Sequence, residues 1–232
     1  MKSTINKMLI FLLIIVVGRS GTIEGTVNFQ GKLPKKKILK LDSDPICGSS
    51  HNSKVINESF LVDENNNLQN VIVWIEGIEY SGKLPDEKLV LDQVGCVYRP
   101  RILSVMRNQP VVIKNSDATL HNVHSYSKKN RVFNIAMPKV AKEKEVIFTD
   151  SEDPFYIKCD VHPWMKSWVA VFDHPYFAVT DEHGNYKIEN VPPGEYTIVA
   201  FQEKFKMKNK LTKQVKVNDK EPIELDFTFV KK

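Results

Sequence analysis

Residues 155–165 read Phe-Tyr-Ile-Lys-Cys-Asp-Val-His-Pro-Trp-Met, and this stretch decides how the chain is read. Phe155, Ile157 and Cys159 share one parity, so they describe a strand whose inward face ends on the Cys159 sulfur. His162 and Met165 follow closely enough for one tight loop to return an imidazole and a thioether to the same point. Upstream, residues 115–124 read Asn-Ser-Asp-Ala-Thr-Leu-His-Asn-Val-His and bring His121 and His124. Cys159, His121, His162 and Met165 match a trigonal His2Cys copper site with a long axial Met. A tetrahedral zinc set of His121, His124, Cys159 and His162 is the rival. The chain has no Cys-x-x-Cys pair, the usual signature of structural zinc. His124 stands two residues beyond His121, roughly 6.6 Å along a strand, and so belongs beside the site or at the surface. A lone buried Cys or Met is ordinary core filling. The four donors together carry the metal reading.

Around this segment, short β-rich runs recur between turn signals and predict an all-β chain. The expected strands are Thr22–Phe29, Val71–Ile75, Val111–Lys114, Glu145–Thr149, Phe155–Cys159, Trp168–Phe172, Tyr186–Glu189, Tyr196–Phe201, Lys213–Val217 and Ile223–Val230. Asp63-Glu-Asn-Asn-Asn67, Asp181-Glu-His-Gly-Asn185 and Pro192-Pro-Gly194 are turn chemistry between them. No amphipathic helix is expected. Lys35-Lys36-Lys37 and the lysines between 204 and 216 read as solvated loop charge.

The 232 residues suit one large or two small domains, and the 42% hydrophobic content excludes wholesale disorder. Three cysteines exclude a disulfide-dense scaffold. The formal net charge is +5, but residues 1–20 hold Lys2, Lys7 and Arg19 and no acid. Without them 30 basic residues face 28 acidic ones, which gives no reason to expect nucleic acid as a partner. Lys2 and Lys7 precede an apolar run from Met8 to Val17. Ten residues rise about 15 Å as a helix, half a bilayer core, so residues 1–20 read as a secretory signal and place the protein in the periplasm or outside the cell. The alternative is an uncleaved N-terminal anchor, the one expected membrane contact. No cysteine follows the run to carry a lipid.

The chain is not expected to be an enzyme. It has no HExxH, GxSxG or phosphate-cradling glycine loop and no CxxCH haem motif. Six histidines are too few for a multicopper cluster, and His51, His174 and His183 fall in turn or junction settings.

The segments NSDATLHNVHSY (115–126) and CDVHPWM (159–165) resemble the cupredoxins, the plastocyanin and amicyanin group of blue copper proteins. The resemblance runs from about Leu89 to Phe172 and includes YRPRILSV (98–105) and PVVIKNSD (110–117). It implies a Greek-key sandwich over 86–173 holding one type 1 copper for outer-sphere electron transfer. The implied ligands are His121, Cys159, His162 and Met165. His121 would be the buried histidine and His162 the one near the surface, ringed by Pro163 and Trp164 as an electron port. Asn122 would tie the two ligand loops together near the sulfur, with Asn115 also behind the ligands. The implied partners are a redox donor and acceptor that dock transiently near His162.

A second pattern, FAVTDEHGNYKIENVPPGEYTIVAFQE (177–203), resembles the carboxypeptidase regulatory-like, or transthyretin-like, sandwich, a non-catalytic module. GTVNFQGKLP (25–34) and NVIVWIEG (70–77) look like the opening of such a module. The expectation is therefore a cupredoxin sandwich plus a second small β-sandwich that is discontinuous, made of residues 21–85 and 174–232. The alternative is two consecutive domains, with the N-terminal strands in the copper unit. If Cys159 holds the metal, Cys47 and Cys96 remain, and in an oxidising compartment they are expected to form a disulfide. The alternatives are two buried thiols, or a second metal site at Cys47 and His51.

Overall fold

The computed structural model of the protein describes residues 20–141, 143–218 and 221–231. The expected signal, but for Ser20, lies outside them. Among the described residues no helix is long and apolar enough to cross a membrane. The chain is all-β, with two sandwiches.

The first sandwich packs a five-stranded sheet on a four-stranded one. The larger sheet runs Asn134–Met137, His121–Ser125, Glu152–Lys158, Lys166–Phe172 and Ile102–Met106. The smaller runs Glu143–Ile147, Pro110–Asn115, Leu89–Val94 and Val97–Arg99. Alternation along Glu152–Lys158 sends Phe155 and Ile157 inward, and Cys159 follows them into the core. That core contains Leu91, Tyr98, Leu103, Val105, Ile113, Val123, Phe148 and Val169. Gly95 and Cys96 both adopt positive φ and turn Leu89–Val94 back into Val97–Arg99, the conformation of a two-residue hairpin.

In the second sandwich, Gly21–Gly31 pairs with Asn185–Val191 on one side and with Ile223–Glu224 and Phe227–Lys231 on the other. The facing sheet runs Phe177–Val179, Ile72–Glu76, Gly194–Phe201 and Leu211–Val217. Segments on either side of the first sandwich thus pair with each other. The sequence suggests an unbroken strand over 223–230, but it is interrupted at Leu225 and Asp226. There Leu225 donates to the Glu24 carbonyl and the Asp226 carboxylate accepts from Thr26 N at 2.6 Å. A Cβ on Gly25 would lie 2.4 Å from the Leu225 carbonyl oxygen, so this crossing needs glycine.

The two sandwiches meet through Ile72, Trp74, Ile102, Ala170, Phe172, Val199 and Phe201, all buried. At the edge of this contact, Arg101 pairs with Glu203 at 2.5 Å, and Trp168 donates to the other Glu203 oxygen at 3.0 Å. Within 21–85, the stretch 37–57 leaves the second sandwich. Leu41 and Cys47 are packed in the core of the first.

Glu152, 6% exposed, accepts from Ser127 Oγ, from the Lys128 and Asn130 backbone N–H groups and from Asn130 Nδ2. Burial alone would raise its pKa, but these bonds outweigh it and leave it lowered. A lowered carboxyl pKa gives stability that is present above the unfolded-state value and is lost as pH falls through the folded one. Glu152→Gln is expected to destabilise the chain by about 1–3 kcal/mol at pH 7 and by progressively less on acidification, read by urea unfolding at several pH values. A fragment of residues 174–232 alone, without its partner strands at 21–31 and 72–76, is expected to give a collapsed NMR spectrum. A dispersed spectrum would overturn the split reading of this sandwich.

Candidate metal centre

Three donors converge in the core of the first sandwich. The imidazole Nδ1 atoms of His121 and His162 lie 2.9 Å apart. Cys159 Sγ lies 3.8 Å from His162 Nδ1. His121 and Cys159 are fully buried, and the three donor atoms lie within 4.8 Å of one another, as a shared ion requires. His121 opens the strand His121–Ser125, and Cys159 follows the strand Glu152–Lys158, two antiparallel neighbours. The loop 160–164 closes through Met165 N to the His162 carbonyl at 2.9 Å and Cys159 N to the Met165 carbonyl at 3.2 Å. Met165 is fully buried in the same core.

The outward nitrogens are held by carboxylates. His121 Nε2 meets Asp117 Oδ2 at 2.9 Å, and His162 Nε2 meets Asp44 Oδ2 at 3.1 Å. Assigned from this network, each Nε2 carries a proton and each Nδ1 turns a lone pair inward. Two such lone pairs at 2.9 Å repel unless a proton or a metal ion stands between them. Burial lowers the His121 pKa, but the Asp117 hydrogen bond, with a contribution from Cys159, reverses that and raises it to about 9. Burial also raises the Cys159 thiol. Hydrogen bonds from His121 and from the backbone N–H groups of Asn122, His162 and Val161 outweigh it and lower its pKa. The pocket thus brings one sulfur and two imidazole nitrogens to a single point. Copper fits it through one soft sulfur and two imidazoles.

Asn122 ties the two ligand segments together. Its backbone N–H reaches Cys159 Sγ at 3.5 Å, and its Oδ1 accepts from Asp160 N at 2.7 Å and Val161 N at 3.4 Å. Asn115 sits behind His121, donating to the Thr119 and Met137 carbonyls and accepting from Asp117 N. His124 is not part of the cluster: its Nδ1 meets Asp160 at 2.9 Å and its ring lies against Tyr126. The zinc set that needed it is not assembled. His51 Nε2 meets the Gly95 carbonyl at 2.6 Å. Cys47 and Cys96 are joined by a disulfide.

His162 departs from expectation: it is 2% exposed, beneath a cover supplied by residues remote in sequence. The helix Pro45–Ser49, N-capped by Asp44, covers it, with Cys47 Sγ 3.8 Å from His162 Nε2. Pro163 is exposed, whereas Trp164 is half-buried, lies tilted against the His162 ring with centroids 5.0 Å apart, and donates to the Cys96 carbonyl. The expected port is therefore covered on its cysteine side. Sequence reasoning missed Asp117 and Asp44. The signals available were Asp117 four residues before His121, and Asp44-Pro45, an N-cap followed by proline at the first helical position.

Residues 176–228 match the family described as the BOS complex subunit NOMO1-like, second beta sandwich domain. No curated protein sequence matches the chain. Among solved structures, a copper-containing nitrite reductase from Thermus scotoductus SA-01 is similar at 19% identity and TM-score 0.34 over 42% of this chain, which spans a quarter of that one. The reduced Cu(I) form of an amicyanin variant is similar at 23% identity and TM-score 0.34, over 43% of this chain and 98% of its own. A purple cupredoxin from Nitrosopumilus maritimus is similar at 23% identity and TM-score 0.31, over 38% of this chain and all of its own.

Asn122→Ala leaves the Asp160 and Val161 N–H groups without their acceptor. It is expected to cost about 1–3 kcal/mol in urea unfolding, and more in the metal-loaded than in the metal-free chain.

Proposed function

We propose that this chain is an exported type 1 copper protein that carries single electrons between redox partners. The observation that carries the reading is the meeting of His121 Nδ1, His162 Nδ1 and Cys159 Sγ in one buried pocket. Met165, buried in the same core, would offer the ion a weak thioether donor. Copper would supply a one-electron change of charge at this point, with no substrate transformed.

The chain's own residues do the rest. The strands Glu152–Lys158 and His121–Ser125 fix the sulfur and one imidazole, so the donor set is held before any ion arrives. Asp117 holds the His121 ring, and it also accepts from Gly95 N at 2.7 Å and Cys96 N at 2.8 Å, which anchors that carboxylate to the hairpin. Buried apolar neighbours exclude water, so little rearrangement accompanies a change of charge. Redox encounters of this kind use small, transient contacts. The second sandwich then serves as a platform, split around the copper unit, and residues 1–20 direct export.

The burial of His162 favours a second reading, an exported interaction scaffold with a structural metal. Copper delivery is disfavoured by the same enclosure. The copper-loaded chain is expected to show an intense thiolate-to-copper absorption band, a type 1 EPR signal and a reversible redox wave. Cys159→Ser abolishes the band, while Met165→Gln shifts the potential and keeps binding. A bound ion without a redox wave would favour the scaffold, and absence of both band and wave would overturn the copper reading.

A further inference from the structure

The helix Pro45–Ser49 brings a carboxylate to the metal centre from a segment remote in sequence, since Asp44 and His162 are 118 residues apart. Asp44 uses one oxygen to cap this helix, accepting from Ile46 N at 2.8 Å and Cys47 N at 3.1 Å. Its other oxygen faces His162 Nε2 at 3.1 Å and accepts from Thr119 Oγ1 at 3.1 Å. The disulfide to Cys96 pins the helix to the hairpin beneath it, and Trp164, packed on the His162 ring, is bonded to the Cys96 carbonyl. The ring therefore has an aromatic neighbour, a carboxylate at its outer nitrogen, and His121 and Cys159 at its inner one.

We propose that Asp44 is a positioning residue that holds His162 with Nδ1 turned toward Cys159 and His121 and, with its helix, shuts solvent away from that ring. The metal-related part of this rests on the copper reading; the orientation of the ring does not. An imidazole with no acceptor at Nε2 can rotate about its χ2 bond and present either edge, whereas one bonded to a fixed carboxylate cannot. A carboxylate beside the ring also places a negative charge near the ion, which favours the higher oxidation state.

The test separates the capping oxygen from the positioning oxygen. Asp44→Ser keeps a helix cap but is too short to reach His162. Asp44→Asn keeps the cap and the shape of the side chain. With its one carbonyl oxygen committed to the helix N–H groups, it turns an amide donor toward His162 Nε2. In the metal-free full-length chain, the disulfide is confirmed by mass and folding by near-ultraviolet circular dichroism. His162 is then treated with diethyl pyrocarbonate and followed by peptide mapping. Modification is expected to rise at least tenfold in Asp44→Ser and to stay near wild type in Asp44→Asn. Nitrogen NMR is expected to show the Nε2–H tautomer of His162 in wild type, a tautomer mixture in Asp44→Ser and a shift toward Nδ1–H in Asp44→Asn. In the copper-loaded chain, Asp44→Asn is expected to raise the reduction potential. Wild-type modification in Asp44→Ser, or an unchanged Nε2–H tautomer in both variants, would overturn the proposal. Failure of the wild type to form the copper band would overturn the copper reading alone, since the metal-free measurements stand without it.

Discussion

Two imidazole nitrogens 2.9 Å apart in a buried core, with their outer nitrogens already committed to Asp117 and Asp44, demand a positive charge between them. This electrostatic requirement organises the first sandwich. Burial raises the pKa of the nearby Cys159 thiol, but hydrogen bonds from His121 and from backbone N–H groups lower it, so the site favours negative charge on the sulfur beside the two rings. Removing any one partner from such a cluster would leave another buried and unsatisfied, the costly case for polar groups in apolar surroundings. Ligand strands, the Asn122 tie and the Asp117-bound hairpin all serve to keep these charges in register.

The meeting of Cys159 with His121 and His162 was legible because the chemistry is concentrated. Cys159, His162 and Met165 fall within seven residues, and the inward parity of Phe155, Ile157 and Cys159 is visible in the bare sequence. The all-β class was legible from short β-rich runs between turn signals, as in Tyr196–Phe201, which lies inside the observed strand Gly194–Phe201. The strand His121–Ser125 was not among the expected strands, because its His-Asn-Val-His-Ser pattern carries one aliphatic residue. What makes it a strand is pairing on both sides, with Asn134–Met137 and with Glu152–Lys158. Tertiary context of this kind overrides local propensity.

The burial of His162 was illegible for a different reason. Family resemblance over residues 89–172 describes the ring's immediate loop, and the residues that cover it lie outside that window. Asp44 and Cys47 are separated from His162 by 118 and 115 residues. The break in the last strand was hidden likewise, since alternation from Ile223 to Phe229 is unbroken in sequence. It is interrupted where Leu225 and Asp226 turn their hydrogen bonds to Glu24 and Thr26 beside Gly25.

The pairing of Gly21–Gly31 with Asn185–Val191 and with Phe227–Lys231 has a temporal consequence. The earliest strand to be synthesised waits for the last before its sheet is complete, while the intervening segment can find its own neighbours much sooner. Long separations between contacting residues slow folding through loop-closure entropy. Until residues 185–191 and 227–231 follow, Val27 and Phe29 lack their sheet neighbours, and an edge without neighbours is open to pairing with other chains.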